Sequence, residues 1–226
     1  MKLFAILIIV LTISSCNKDN NNQPAFSMKK SYLALGDSYT IGESVARDQS
    51  FPYQLAAKLN LAGIKMSSPE IIATTGWTTG DLIKAIEEKN LQERYDLVTL
   101  LIGVNNQYRG YSAEVYRQEF KELLKTAIKY AGGNKSHVYV MSIPDWGVTP
   151  FAKKSNRDLK KISSQIDLFN AINKEETLRE GIQYVDITPA SRKADSDISL
   201  IAEDGLHPSG KMYGEWVELL ASRIVK

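Results

Sequence analysis

Residues 31–42 read SYLALGDSYTIG. Tyr32, Leu33, Ala34 and Leu35 form an apolar run long enough for one buried strand. Gly36-Asp37-Ser38 breaks the run with turn-forming residues, and a helical pattern begins shortly after it. The order is therefore strand, tight turn, helix. A serine at that corner carries its hydroxyl at the carboxyl end of a strand, the edge of an open α/β sheet where ligands bind. On this reading Ser38 is a candidate nucleophile. The competing reading of the tripeptide is an ordinary loop, since so short a match recurs by chance. The rest of the chain has to separate the two.

Downstream, the alternation continues. Ser50 is placed as an N-cap, with Pro52 in the first turn of a helix over residues 53–59 that Gly63 stops. Ile71, Ile72 and Ala73 make a short strand that ends in Thr74-Thr75-Gly76-Trp77. Thr78 or Thr79 caps a helix over residues 81–89, with Asp81 near the positive end of its dipole. Residues 97–102 (LVTLLI) are an uninterrupted apolar run, as expected of a parallel strand covered on both faces. That run ends in Gly103-Val104-Asn105-Asn106. The spacing predicts a helix over 112–130, with Val115, Phe120, Leu123, Leu124 and Ile128 as its apolar stripe. Residues 138–143 (VYVMSI) form a fourth strand and 144–157 a loop. A helix over 159–179 follows, burying Ile162, Ile166, Leu168, Phe169 and Ile172. Residues 182–187 (IQYVDI) form a fifth strand. A loop then reaches Asp204-Gly205-Leu206-His207. The closing helix starts near Ser209 and carries Met212, Trp216, Leu219, Leu220 and Ile224. Five strands alternating with helices predict an α/β domain with a parallel sheet covered on both sides. The turns at Ser38, Gly76, Asn105 and residues 204–207 then gather at one edge.

Composition narrows the function. The 226 residues are 43% hydrophobic and 24% charged, an ordinary balance for one globular domain. The formal net charge of +2 is too mild for a nucleic-acid partner, and the basic residues read as scattered. Cys16 is the single cysteine, so no intrachain disulfide forms. With two histidines, a structural zinc site is not expected, and no other metal or cofactor is implied.

The amino terminus stands apart from this pattern. Residues 3–13 after Lys2 are apolar and span about 16 Å as a helix, short of a bilayer core of about 30 Å. They read as an export signal. Ile13-Ser14-Ser15-Cys16 resembles a bacterial lipoprotein processing box, which implies a lipidated Cys16; a buried strand with a stray cysteine is the alternative. Residues 17–30 (NKDNNNQPAFSMKK) are too polar to bury a core and read as a flexible tether with a reach of roughly 20 Å. The expected division is a signal over 1–15, a tether over 16–30 and a folded domain over 31–226. The expected location is the bacterial cell envelope, periplasmic or cell-surface, with the chain anchored to a membrane.

Ester hydrolysis by serine needs a base, a carboxylate to orient it, and donors for the oxyanion. His137 begins an apolar strand and reads as a strand-end surface histidine. His207 lies in a loop three residues after Asp204, close enough for the carboxylate to accept from Nδ1–H and leave Nε2 for Ser38. A helix-capping loop is the other reading of Asp204 and His207. The Asn105 amide is an uncharged donor, and the Gly76 N–H can approach a reacting carbonyl closely. With the Ser38 N–H these make three donors. As isolated residues, both also read as plain turn residues.

Gly36-Asp37-Ser38, Gly76, Gly103-Val104-Asn105 and Asp204-Gly205-Leu206-His207 occur in the order seen in the SGNH (GDSL-type) hydrolase family, which the chain resembles over nearly all of its folded part. The resemblance implies a three-layer α/β/α, flavodoxin-like sandwich and a metal-free esterase or lipase. It makes Ser38 the nucleophile, Asp204 and His207 the dyad that activates it, and Ser38, Gly76 and Asn105 the oxyanion donors. Tyr39 stands where the family name has leucine, which bears on shape beside the nucleophile. Asn106 stands where many members have aspartate, which puts the rigidity of that loop in question. Tyr39, Trp77, Tyr108, Trp146 and Phe151 lie in or near the same loops and either line a substrate subsite or anchor the loops. Short loops without a lid favour small or accessible esters of lipids, glycans or small molecules. A non-catalytic glycan- or lipid-binding lipoprotein and an acyltransferase are the competing functions. Oligomeric state is not readable.

Overall fold

The computed structural model describes residues 29–89, 91–92 and 94–225. The expected export signal, Cys16 and the expected tether as far as residue 28 lie outside the described residues. Five strands, β1 (Tyr32–Gly36), β2 (Glu70–Ala73), β3 (Leu97–Leu101), β4 (Val138–Met141) and β5 (Gln183–Val185), form one parallel sheet in the order β2-β1-β3-β4-β5. All residues of β1 and β3 are buried, which is why they read as continuous apolar runs. Gly36 lies opposite Ala73 of β2 and Leu101 of β3, so the chain leaves all three strands at one level.

The strand order fixes where a ligand can enter. The chain passes from β1 to β2 on one side, then crosses back to place β3 on the other. Connections therefore diverge between β1 and β3 and leave a crevice beyond their carboxyl ends. Right-handed crossovers put helices from the two directions on opposite faces. The helix α2 (Phe51–Leu61) accordingly packs with α9 (Gly210–Ile224), while α5 (Ala113–Tyr130) packs with both α3 (Thr79–Glu87) and α7 (Leu159–Arg179). This is the three-layer α/β/α sandwich.

Several details depart from the sequence reading. The structure adds the short helices α1 (Ser38–Ile41), α4 (Val104–Tyr108), α6 (Pro150–Lys154) and α8 (Thr188–Arg192), each of five residues or fewer and so too short to show a periodicity in sequence. Residues 144–157 are thus not a plain loop: they hold α6 and a 3₁₀ turn, Trp146–Val148. Val115, Leu168 and Leu219 are exposed rather than buried. Tyr116 takes the core position beside Val115 and stacks on Phe169 at 4.5 Å between ring centroids. Ser50 is the N-cap residue of α2, but its hydroxyl donates back to the Arg47 carbonyl at 2.9 Å. No helix among the described residues is long and apolar enough to cross a membrane.

Candidate active site

The first corner is built by exclusion. A Cβ on Gly36 would lie 2.1 Å from Thr40 Oγ1 and 2.4 Å from the Leu101 carbonyl oxygen, so only glycine lets β1 turn here. Asp37 then caps α1, its Oδ1 accepting the Tyr39 N–H at 3.0 Å. Ser38 is the first residue of α1, at the carboxyl end of β1 beside the switch point. The second corner follows β2, where Gly76 adopts φ +85° and its carbonyl accepts from Arg109.

The third corner follows β3. Gly103 (φ +128°) packs so tightly that a Cβ would lie 2.6 Å from the Tyr116 ring. It starts α4, which carries two adjacent asparagines with different tasks. Asn105 Nδ2 donates to the Trp77 carbonyl at 3.0 Å. An amide nitrogen has two hydrogens, so one remains for the cavity that Asn105 lines. Asn106 is fully buried; it accepts from the Thr79 N–H at 3.0 Å and donates to Thr79 Oγ1 at 2.6 Å. These bonds tie α4 to the start of α3, so the loop is braced without an aspartate at this position.

The fourth corner precedes α9. Asp204 Oδ1 accepts the N–H groups of Leu206 and His207, each at 2.9 Å. Asp204 Oδ2 meets His207 Nδ1 at 2.5 Å and accepts from Ser44 Oγ at 2.8 Å. Burial alone would raise the Asp204 pKa, but these bonds outweigh it and hold the carboxyl at about 2. Asp204 is thus a carboxylate at neutral pH, which fixes the proton on Nδ1 and leaves Nε2 as the acceptor. The Tyr39 ring packs edge-on against the imidazole, with centroids 5.6 Å apart. Ser44 was missed by the sequence reading; it sits at φ +64° and reaches Asp204 across 160 positions of sequence.

Ser38, Gly76, Asn105 and His207 line one cavity of about 160 Å³. Asp204 stands behind His207. Tyr39, Tyr108, Trp146, Phe151 and Leu206 supply apolar wall. Trp146 is held by its Nε1–H donating to Gln107 Oε1 at 2.8 Å, a support that no local pattern announces. Trp77 is not among the residues lining the cavity; it contributes the carbonyl that holds Asn105. His137 lies far from this group, before the amino end of β4, where it lines a separate hollow of about 370 Å³ with Lys30, Asp96 and Arg223. Among the described residues, no three or more His, Cys, Asp or Glu side chains are grouped to hold a metal ion.

The profile of the GDSL-like lipase/acylhydrolase family matches residues 34–214. The chain belongs to this family. This GDSL-type protein is therefore a carboxylic ester hydrolase. No curated protein matches it. Among solved structures it is similar to TesA, at 16% identity and a TM-score of 0.68, over 87% of this chain and 98% of that one. It is also similar to the lipase/acylhydrolase from Enterococcus faecalis, at 18% identity and a TM-score of 0.66, over 86% and 95% of the two chains. A variant of Axe2, an acetyl xylan esterase from Geobacillus stearothermophilus, aligns at 17% identity and a TM-score of 0.65, over 87% and 94%. At these identities the likeness is one of fold.

Proposed function

We propose that this GDSL-type hydrolase is a serine esterase that cleaves small or accessible carboxylic esters through Ser38, His207 and Asp204. The observation that carries the reading is the cavity shared by Ser38 and His207, with Nδ1 of that histidine held by a carboxylate. In the first step His207 Nε2 takes the Ser38 proton as Oγ bonds to the ester carbonyl carbon. The carbonyl oxygen becomes an oxyanion, held by the N–H groups of Ser38 and Gly76 and by the free Asn105 amide hydrogen. The imidazolium, stabilised by Asp204, gives its proton to the leaving alkoxide as the carbon–oxygen bond breaks. Water then repeats the sequence on the acyl-enzyme, releasing the acid and restoring Ser38.

The cavity volume supports a short acyl group. At about 160 Å³ it is below the range of about 300–1,000 Å³ usual for drug-sized ligands, and its walls are apolar. The activity named for the structurally similar Axe2 makes acetyl esters the first substrates to try. The chain is also proposed to be an exported lipoprotein anchored through Cys16. Lys30, where the described chain begins to pair, bridges Met66 before the first residue of β1. That end of β1 lies at the edge of the sheet opposite the cavity. Labelled palmitate should enter the wild-type chain but not Cys16→Ala.

The direct test of the chemistry is turnover. A chain starting at Lys29 should hydrolyse p-nitrophenyl acetate and butyrate, and Ser38→Ala should lower kcat by more than about 10³. Ser38→Ala turning over at the wild-type rate would end the proposal. Transfer of the acyl group to an added alcohol in preference to water would make the protein an acyltransferase instead.

A further inference from the structure

We propose that an open groove beside the catalytic cavity binds the carrier of the ester, and that this carrier is an anionic polysaccharide. The inference rests on the esterase reading. It starts from a concentration of charge that the sequence reading took as scattered. Lys153, Lys154, Arg157, Lys160 and Lys161 fall within nine consecutive residues, with Asp158 the sole acid among them. That local surplus exceeds the +2 of the whole chain. All five basic residues are exposed.

The segment sits on the rim of the active site. Phe151, two residues before Lys153, is part of the cavity wall. The Arg157 guanidinium lies 4.0 Å over the Tyr108 ring, another wall residue, and its Nη1 donates to the Tyr108 carbonyl at 3.1 Å. The turn Trp146–Val148 separates two spaces. Trp146 lines the catalytic cavity, whereas Gly147 and Val148 line a groove of about 450 Å³ with Leu159, Lys160, Ser163, Ser164 and the Lys153–Asp195 pair. The groove therefore begins one residue along the chain from the cavity wall, on the side where Arg157 covers Tyr108.

The charges there are under-compensated. Lys153 pairs with Asp195 at 2.7 Å, while Lys154, Lys160 and Lys161 form no ion pair among the described residues. Lys160 and Lys161 lie in the first turn of α7, the positive end of a 21-residue helix that carries no acidic residue in that turn. Cations there are unfavourable. Asp158 supplies one carboxylate, engaged in capping the Lys161 N–H at 3.1 Å. A bound carboxylate would offset the remaining repulsion. Two serines, the unpaired Lys160 and the Lys153–Asp195 pair give the groove hydrogen-bonding groups beside its apolar floor, which suits a hydroxylated, charged sugar unit better than an inserted lipid chain. The groove volume falls within the usual ligand range.

The probe is unesterified polygalacturonate, which is not turned over, so binding is read apart from chemistry. The full-length chain in neutral detergent should be retarded in affinity electrophoresis by polygalacturonate and not by dextran. Retardation should weaken at least about tenfold in a K160E/K161E double variant and in high salt. K160Q/K161Q should fall between the two, which guards against a folding artefact of charge reversal. Equal retardation by dextran, or no effect of charge reversal, overturns the proposal. Retardation by phosphatidylglycerol mixed micelles but not by polygalacturonate overturns it in favour of a membrane surface. Hydrolysis of p-nitrophenyl acetate by the same preparation reports the esterase separately. Turnover without polygalacturonate binding removes the groove alone, and binding without turnover removes the esterase alone.

Discussion

Replacing Asp37 by asparagine probes the corner on which Ser38 stands. Asp37 is 1% exposed, and its Oδ2 has no hydrogen-bond partner. Burial raises its pKa from 3.8 to about 7, and the N–H groups of Tyr39 and Gly103 draw it back only in part. A raised folded value means that folding favours the protonated carboxyl. That stability is fully present below the unfolded value and is lost as pH rises through the folded one. The gap is roughly three pH units, which corresponds to about 4 kcal/mol at 1.36 kcal/mol per unit. Asparagine keeps an acceptor for the Tyr39 N–H and is neutral at every pH. Urea unfolding of both proteins from about pH 4 to about pH 8 gives the difference directly. The variant should gain on wild type by about 1.4 kcal/mol per pH unit and level off above about pH 7. Parallel stability curves over that range would refute the reasoning, because the carboxyl would then titrate alike in both states.

Three further outcomes follow from the site. Asn105→Ala removes one of the proposed oxyanion donors and should lower kcat by about 10²–10³ with little change in KM, measured on p-nitrophenyl acetate. Asp204 has the opposite sign from Asp37: its folded pKa is depressed, so its contribution to stability is present above the unfolded carboxylate range of about 4. Acid titration monitored by circular dichroism should show wild type losing its advantage over Asp204→Asn as pH falls toward about 2. Tyr108→Ala opens a wall that is already 40% exposed, so it should fold normally and shift preference from acetyl toward longer acyl p-nitrophenyl esters.

What the sequence disclosed and what it hid divide along physical lines. β1 and β3 were legible because strands buried on both faces read as unbroken apolar runs that end in glycine turns. The meeting of Ser38, Gly76, Asn105 and His207 at one sheet edge was legible because each sits at a corner, where local residue types report local geometry. The two histidines were separable by their position relative to strands, and the structure puts them in different hollows. The helix faces were less legible. Tyr116 outcompetes Val115 because a tyrosine ring can reach the core while its hydroxyl finds the Ile102 carbonyl at 3.3 Å. The support of Asp204 by Ser44 and of Trp146 by Gln107 joins residues remote in sequence, and no local pattern encodes such pairs.

The most direct measurement is covalent. The chain is treated with a fluorophosphonate, digested, and the modified residue located by mass spectrometry. One adduct on Ser38, formed rapidly in wild type and at least about 10³-fold more slowly in His207→Ala, is the predicted result. Full esterase activity with Ser38 unmodified, or labelling that is indifferent to His207, would contradict it.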